Sequence, residues 1–272
     1  MKRSVAGAAV IALVCLGAVE SVSTDGQGGN SPGRNGCSAL PSWGELRQAL
    51  KQARAEGNGG LNLDMWGTIV DRDGIVCAVA FTGNDRDDQW PGSRVISAQK
   101  ANTANAFSLT GLSLSTANLY TAVQPGGSLF GLQESNPVDH DVAYRGNAAN
   151  FGRASDPMVG GLLGGVNVFG GGLALYNENG RIVGGLGVSG DTSCADHNIA
   201  YRTRNTLLLD YVPGGVSGDS TRPDNIVFDI AYQAGQMPGA SAGGFGHTSC
   251  HGYNATGNTT SSGFAATLPP TR

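Results

Sequence analysis

Charged residues are scarce in this chain, and no stretch of it is strongly basic. Lys, Arg, Asp and Glu make up 14% of the 272 residues, and the formal net charge is −4. A protein that binds nucleic acid through its phosphates needs a cluster or stripe of basic side chains. The composition therefore argues against nucleic acid and anionic membrane surfaces as partners.

Long apolar runs are also missing. None reaches the roughly 20 residues that a membrane-spanning helix requires. The most apolar segment, residues 5–18, follows two basic residues and precedes several small ones. That order is typical of a secretory signal peptide. We therefore expect residues 1–23 to be removed on export to the periplasm or the medium, residues 24–40 to form a flexible leader, and the mature chain to lack a membrane span.

No two cysteines are spaced as C-x-x-C, so the commonest zinc-binding pattern is absent. Beyond the signal peptide lie Cys37, Cys77, Cys194 and Cys250. An even number of cysteines in an exported chain is compatible with two disulfides, for which three connectivities exist. Of these we favour Cys77–Cys194 inside the core and Cys37–Cys250 between the two tails.

Two histidines and a cysteine lie close together in residues 247–251 (HTSCH). Imidazole and thiolate are good ligands for transition metals. The segment is one cysteine short of the covalent haem sequence C-x-x-C-H. A disulfide at Cys250 would remove the thiolate, so the sequence favours a structural role for this segment.

Glycine is abundant, with 44 of 272 residues, more than twice the usual share of about 7%. The chain is therefore rich in turns, but its 40% hydrophobic residues are too many for a disordered polymer. Tight turns at residues 71–74 and 177–180 each separate two β-prone runs, which predicts two antiparallel hairpins. A helix is predicted before each hairpin and after the second.

Ser42 and Glu45 form a capping box that starts the first helix, residues 93–108 form the second, and a second capping box at residues 193–196 starts the third. This order predicts one antiparallel sheet of about five strands with helices packed on it, an α/β protein of the α+β type. We place the domain at residues 41–212. Residues 120–170 form an irregular long loop inside it, which is either a binding lid or a plain surface insertion. Residues 213–272, which contain a short apolar run at 226–230, form a C-terminal extension.

The pattern G-x-G-x-x-G occurs at Gly185–Gly190, after a predicted strand and before a helix, with Asp210 about 20 residues further on. In a parallel βαβ unit it would indicate a dinucleotide site. Here the preceding strand belongs to a tight hairpin. An oxidoreductase that uses this turn is therefore the alternative hypothesis.

Four segments resemble the GlcG/HbpS-like family of haem-binding proteins, in the same order and spacing. They are residues 69–74 (IVDRDG), 97–104 (SAQKANTA), 170–175 (GGGLAL) and 184–190 (GGLGVSG). The resemblance covers somewhat over half of the chain. It implies a profilin-like or PAS-like domain, often a homo-oligomer, that binds haem and in some members degrades it or reports it to a sensor.

Haem requires an apolar slot, a lone-pair donor for the iron and cations for the propionates. His197 is our first choice as axial ligand, His140 is the second, and the phenolate of Tyr144 is an alternative to it. The candidate propionate partners are Lys100, Arg202 and Arg204. We expect an exported haem-binding protein in which scavenging, storage or sensing takes precedence over turnover. A ligand-free structural or partner-binding module is the third hypothesis.

Overall fold

The computed structural model describes residues 36–230, 241–250 and 261–272, all of which belong to one unit of the chain, Pro32–Arg272. The expected signal peptide, most of the leader and His251 lie outside the described residues. Within them no helix is long and apolar enough to cross a membrane. The elements, in chain order, are α1 (Trp43–Arg54), β1 (Trp66–Asp71), β2 (Val76–Phe81), α2 (Ser93–Phe107), α3 (His140–Ala143), β3 (Gly172–Tyr176), β4 (Ile182–Ser189), α4 (Ser193–Thr206) and α5 (Ser261–Ala265).

The strands form one antiparallel sheet in the order β2-β1-β4-β3. Both predicted hairpins are present, and β4 pairs with β1 to join them. The sheet has four strands, so the expected number of about five was too high. The apolar run at residues 226–230 contributes only an isolated bridge between Ile230 and Ser241, because its start is hydrogen-bonded to α4 instead.

The two faces of the sheet carry different helices, in agreement with the alternation of side chains along a strand. Leu186 and Val188 of β4 face a core that contains residues of α1 and α4. Gly185 and Gly187 face α2, and a Cβ on either would overlap a carbonyl oxygen of that helix. The glycine-rich strand thus lets the backbone of α2 lie directly on the sheet.

The long loop and the extension both pack on this layered core. Ala143, Met158 and Leu163 of the loop are buried with the residues of the sheet that face α2. Leu268 of the extension is buried with α1 and α4. Both segments therefore contribute to the core.

The disulfides are Cys37–Cys77 and Cys194–Cys250, so the connectivity favoured from the sequence was wrong. Cys77 lies near the end of β2 that pairs with Val70 of β1. Cys194 follows Ser189, which pairs with Trp66 at the other end of β1. The sheet therefore separates Cys77 from Cys194, and each bridge joins residues at one end of it.

Candidate functional site

The first turn of α4 begins at a sharp bend after β4. Gly190 has a φ of 156°, and a Cβ there would lie 2.5 Å from the carbonyl oxygen of Asp64, so glycine is required. The N-cap is Thr192, whose side chain accepts a hydrogen bond from the backbone of Ala195. The capping box predicted at residues 193–196 is therefore wrong, because the Asp196 carboxylate turns back to the backbone N–H groups of Gly190 and Asp191.

Lys100 connects α2 to this turn. Its ammonium group lies 2.7 Å from the carboxylate of Asp196 and 3.2 Å from the carbonyl oxygen of Val188. Both side chains of the ion pair are almost completely buried. Lys100 therefore has an internal partner, and its role with a haem propionate remains a prediction that requires this pair to open.

Arg204 is buried in a two-pronged pair with Asp224, at 2.6 and 2.8 Å. Ser113 donates a further hydrogen bond to the same carboxylate. Burial alone would lower the pKa of Arg204 and raise that of Asp224, but their attraction reverses both directions. The pair fastens the extension to the last turns of α4.

Arg202 lies on a different face of α4 from Arg204. Its guanidinium pairs with the carboxylate of Glu56 at 2.8 Å. It also donates to Asn58 and to Thr267. Its guanidinium thus holds the loop after α1, α4 and the extension together, and its part in ligand binding also remains a prediction.

His197, the first-choice axial ligand, is fully buried beneath the extension. The backbone N–H of Ile226 donates to its Nε2 at 3.1 Å, and its Nδ1 has no partner among the described residues. Burial lowers the pKa of His197 to about 4, so the imidazole is neutral at physiological pH. The backbone of the extension is thus hydrogen-bonded to Nε2, and this nitrogen is not available to an iron unless the extension moves.

His140 and Tyr144 belong to a different part of the surface. Asp139 caps the short helix α3 that carries His140, and Tyr144 follows its last residue. The side chain of His140 is 83% exposed and Tyr144 is 65% exposed. The six predicted site residues therefore form two groups. Three cations and one imidazole are buried around α4, and two exposed donors lie at α3.

Sequence reasoning missed the carboxylates that neutralise these cations. Asp196 was predicted only as a member of a capping box, and Asp224 lies in a segment with no predicted element. His247 was noticed only within its motif. His247 is almost completely buried, and its Nε2 lies 2.8 Å from the hydroxyl oxygen of Ser193.

The Gly185–Gly190 turn does not have the setting of a dinucleotide site. β4 is antiparallel to both of its neighbours, whereas the fingerprint requires a parallel βαβ unit. The glycines allow close packing against α2, which accounts for the pattern without a ligand.

Comparison with known proteins supplies the family. The sequence model of the family described as haem degrading protein HbpS-like matches residues 43–204. No curated protein sequence matches the chain. Similar solved structures include PduOC in complex with haem, at 25% identity and a TM-score of 0.41 over 62% of this chain and 95% of that one.

Two others are ORFY from Klebsiella pneumoniae, at 24% identity and a TM-score of 0.42 over 61% of this chain and 90% of that one, and a double mutant of HbpS from Streptomyces reticuli, at 15% identity and a TM-score of 0.38 over 73% of this chain and 98% of that one. The family match spans every predicted site residue and the whole sheet. The chain belongs to the HbpS-like family.

Proposed function

We propose that this protein binds haem outside the cytoplasm and retains it without degrading it. The observation that carries haem binding is the HbpS-like match over residues 43–204. That family is described as haem degrading, so retention is the part of the proposal that the turnover assay below decides. The two disulfides support export, because such bonds persist in oxidising compartments. Bound haem would supply an iron centre, and the protein would supply an axial donor, an apolar surface and cations.

The described residues offer a set of groups that fits haem around α3. His140 has an exposed imidazole, and Tyr144 an exposed phenol. Leu162, which is 59% exposed, precedes Leu163, whose carbonyl oxygen accepts a hydrogen bond from the backbone N–H of Asp139 at the start of α3. An exposed leucine on this segment would add apolar surface for a porphyrin face.

Arg145 supplies positive charge at the same place. Its guanidinium donates to the carbonyl oxygens of Pro157 and Val159 and to no carboxylate in the described part of the chain. This contrasts with Lys100 and Arg204, whose charges are already balanced by buried carboxylates. The cation beside Tyr144 is therefore available to a propionate without breaking an ion pair.

We propose that His140 is the axial ligand, with Tyr144 as the phenolate alternative. The sequence ranked His197 first, but binding through its Nε2 requires residues 224–226 to leave α4. That movement would leave Arg204 without its partner, and breaking a buried pair costs about 3–5 kcal/mol. Accessible donors avoid this cost.

Titration of the oxidised mature protein with haemin tests the proposal. We expect a Soret shift that saturates at one haem per chain. His140→Gln should weaken binding at least about tenfold, equivalent to about 1.4 kcal/mol, and Tyr144→Phe should change the spectrum or affinity less. Trp90→Ser is the matched control, because Trp90 is another exposed aromatic residue, and its loss should leave binding unchanged.

Each result is decisive for one part of the proposal. Absence of a saturable shift would refute haem binding. Normal binding by His140→Gln together with lost binding by a folded His197→Gln would assign the iron to His197 and require the extension to open. Loss of the Soret band when the complex is incubated with a reductant and oxygen would show turnover and overturn retention.

A further inference from the structure

A second group of metal-ligating side chains lies at the first turn of α4. A sulfur of Cys194, a sulfur of Cys250 and a ring nitrogen of His247 all lie within 4.8 Å of one another. Cys194 and His247 are almost completely buried. The two cysteines are joined as a disulfide, so the group can bind a metal only after reduction.

The hydrogen bonds of His247 fix the tautomer of its ring. Its Nδ1–H donates to the carbonyl oxygen of Thr248 at 2.6 Å, which leaves the lone pair on Nε2. Nε2 lies 2.8 Å from the hydroxyl of Ser193, the residue before Cys194. Metal-bound histidines typically donate their other N–H to a carbonyl or carboxylate, which fixes the tautomer and the ring.

The sulfur atoms are also in a favourable setting for thiolates. The backbone N–H of Cys194 donates to the sulfur of Cys250 at 3.0 Å. Both sulfurs lie at the N-terminus of α4, a helix of 14 residues, where a negative charge is stabilised. The ring of Tyr120 lies 4.6 Å from that of His247, centroid to centroid, and shields this side from water.

We propose that the reduced protein binds one zinc-class divalent cation through the sulfurs of Cys194 and Cys250 and the imidazole of His247. Two thiolates and one imidazole match the ligand preference of zinc, and water or the Ser193 hydroxyl completes four-coordination. The site is new relative to haem binding, because none of its ligands belongs to the α3 group.

The chemistry balances with a dithiol as reductant. The dithiol gives two electrons and two protons to the Cys194–Cys250 bond and becomes a disulfide itself. The two protein thiols then lose two protons when the cation binds. Disulfide and metal are thus alternative links between the extension and α4, and both keep residues 247–250 in place.

The other disulfide provides a matched control. Cys37 and Cys77 lie within the same distance of Asp71, but that group has no imidazole. Asp71 accepts hydrogen bonds from the backbone of Asp73 and Ile75 through Oδ1, whereas its Oδ2 is buried and has no partner among the described residues. We expect weaker binding of zinc-class cations there.

The experiment is a titration of the full mature chain with Co²⁺, which reports tetrahedral thiolate coordination by its visible and near-ultraviolet absorption. The chain is reduced without oxygen and freed of reductant first. We expect one Co²⁺ per chain with sulfur charge-transfer absorption, displaced by Zn²⁺. The oxidised protein should show no such band. The double variant Cys37→Ser/Cys77→Ser should keep it, Cys194→Ser/Cys250→Ser should lose it, and His247→Ala should weaken binding at least about tenfold.

Circular dichroism of each sample separates metal binding from unfolding. If reduction unfolds the chain, refolding on addition of Co²⁺ supports the site, because metal binding is coupled to folding. A reduced chain that shows no tetrahedral band, or that stays unfolded with Co²⁺ present, overturns the proposal. A band that survives in Cys194→Ser/Cys250→Ser overturns it as well.

Discussion

Substitution of Gly187 by alanine tests whether the glycine pattern of β4 serves packing. A Cβ at this position would lie 2.5 Å from the backbone nitrogen of Ala101 and closer still to the carbonyl oxygen of Ser97. Both atoms belong to the backbone of α2, so no side-chain rotation can relieve the overlap. The helix would have to rise by about 1.5–2 Å to restore ordinary contact distances of about 3.5 Å.

The cost follows from what holds α2 in place. Overpacking of a tight core costs about 1–3 kcal/mol. The lift would also stretch the buried hydrogen bond between the hydroxyls of Thr68 and Ser97, which is 2.7 Å long and is worth about 1 kcal/mol. Alanine also lowers the conformational entropy of the unfolded chain, which offsets about 0.4–1 kcal/mol of this destabilisation. We expect a net loss of about 2 kcal/mol, and for a domain of this size a fall in Tm of about 4–8 °C.

Thermal and urea unfolding of the oxidised protein, followed by circular dichroism, measure the effect. Gly111→Ala is the matched control, because nothing lies within 4 Å of a Cβ at that glycine, and its Tm should stay the same or rise slightly. A Gly187→Ala protein with the wild-type Tm would refute the packing explanation. Saturable binding of a nicotinamide dinucleotide that Gly187→Ala abolishes would restore the alternative hypothesis.

Two further predictions concern buried charge. Asp224→Asn leaves Arg204 charged and unpaired in the core and should destabilise the fold by about 3–5 kcal/mol. Glu56→Gln removes the exposed partner of Arg202 and should cost no more than about 1 kcal/mol. Equal losses of unfolding free energy in urea would contradict this ranking. Burial lowers the pKa of His197 and of His247 to about 4, against about 6.5 in an unfolded chain. The unfolded state therefore binds more protons between these values, so the stability from both groups is complete above pH 6.5 and is lost as pH falls through 4. The free energy of unfolding in urea should fall from pH 7 through 5.5 to 4, and His247→Gln should reduce this fall by up to about 3 kcal/mol. An unchanged pH dependence in His247→Gln would show that this imidazole is not buried in a neutral form.

The sheet and its main helices could be predicted because their signals are local. The turns at residues 71–74 and 177–180 specify antiparallel pairing of the strands on either side, and both hairpins are present. The capping box at Ser42 and Glu45 is formed as expected. In each case the residues that decide the structure are within a few positions of one another.

The disulfides and the buried pairs could not be predicted, because they depend on where distant segments meet. The bond between Cys37 and Cys77 depends on which end of β2 faces the chain before α1. Asp224 meets Arg204 only because the extension folds back over α4, and no spacing in the sequence encodes that return. The same return covers His197, which is why a histidine that the sequence marks as a ligand is closed off in the structure.

The extension therefore bears directly on where a ligand can bind. The family match ends at residue 204, yet residues 224–226 and the cysteine at 250 complete the surface of α4 within that match. With this face covered, the donors that remain open are those of the long loop, at α3. If the extension is held by the Cys194–Cys250 link, then cutting that link and removing the extension should expose His197 without altering His140. A second haem site that appears only in this opened form would show that the extension acts as a cover, and a loss of the α3 site in the same form would show instead that the extension supports the whole domain.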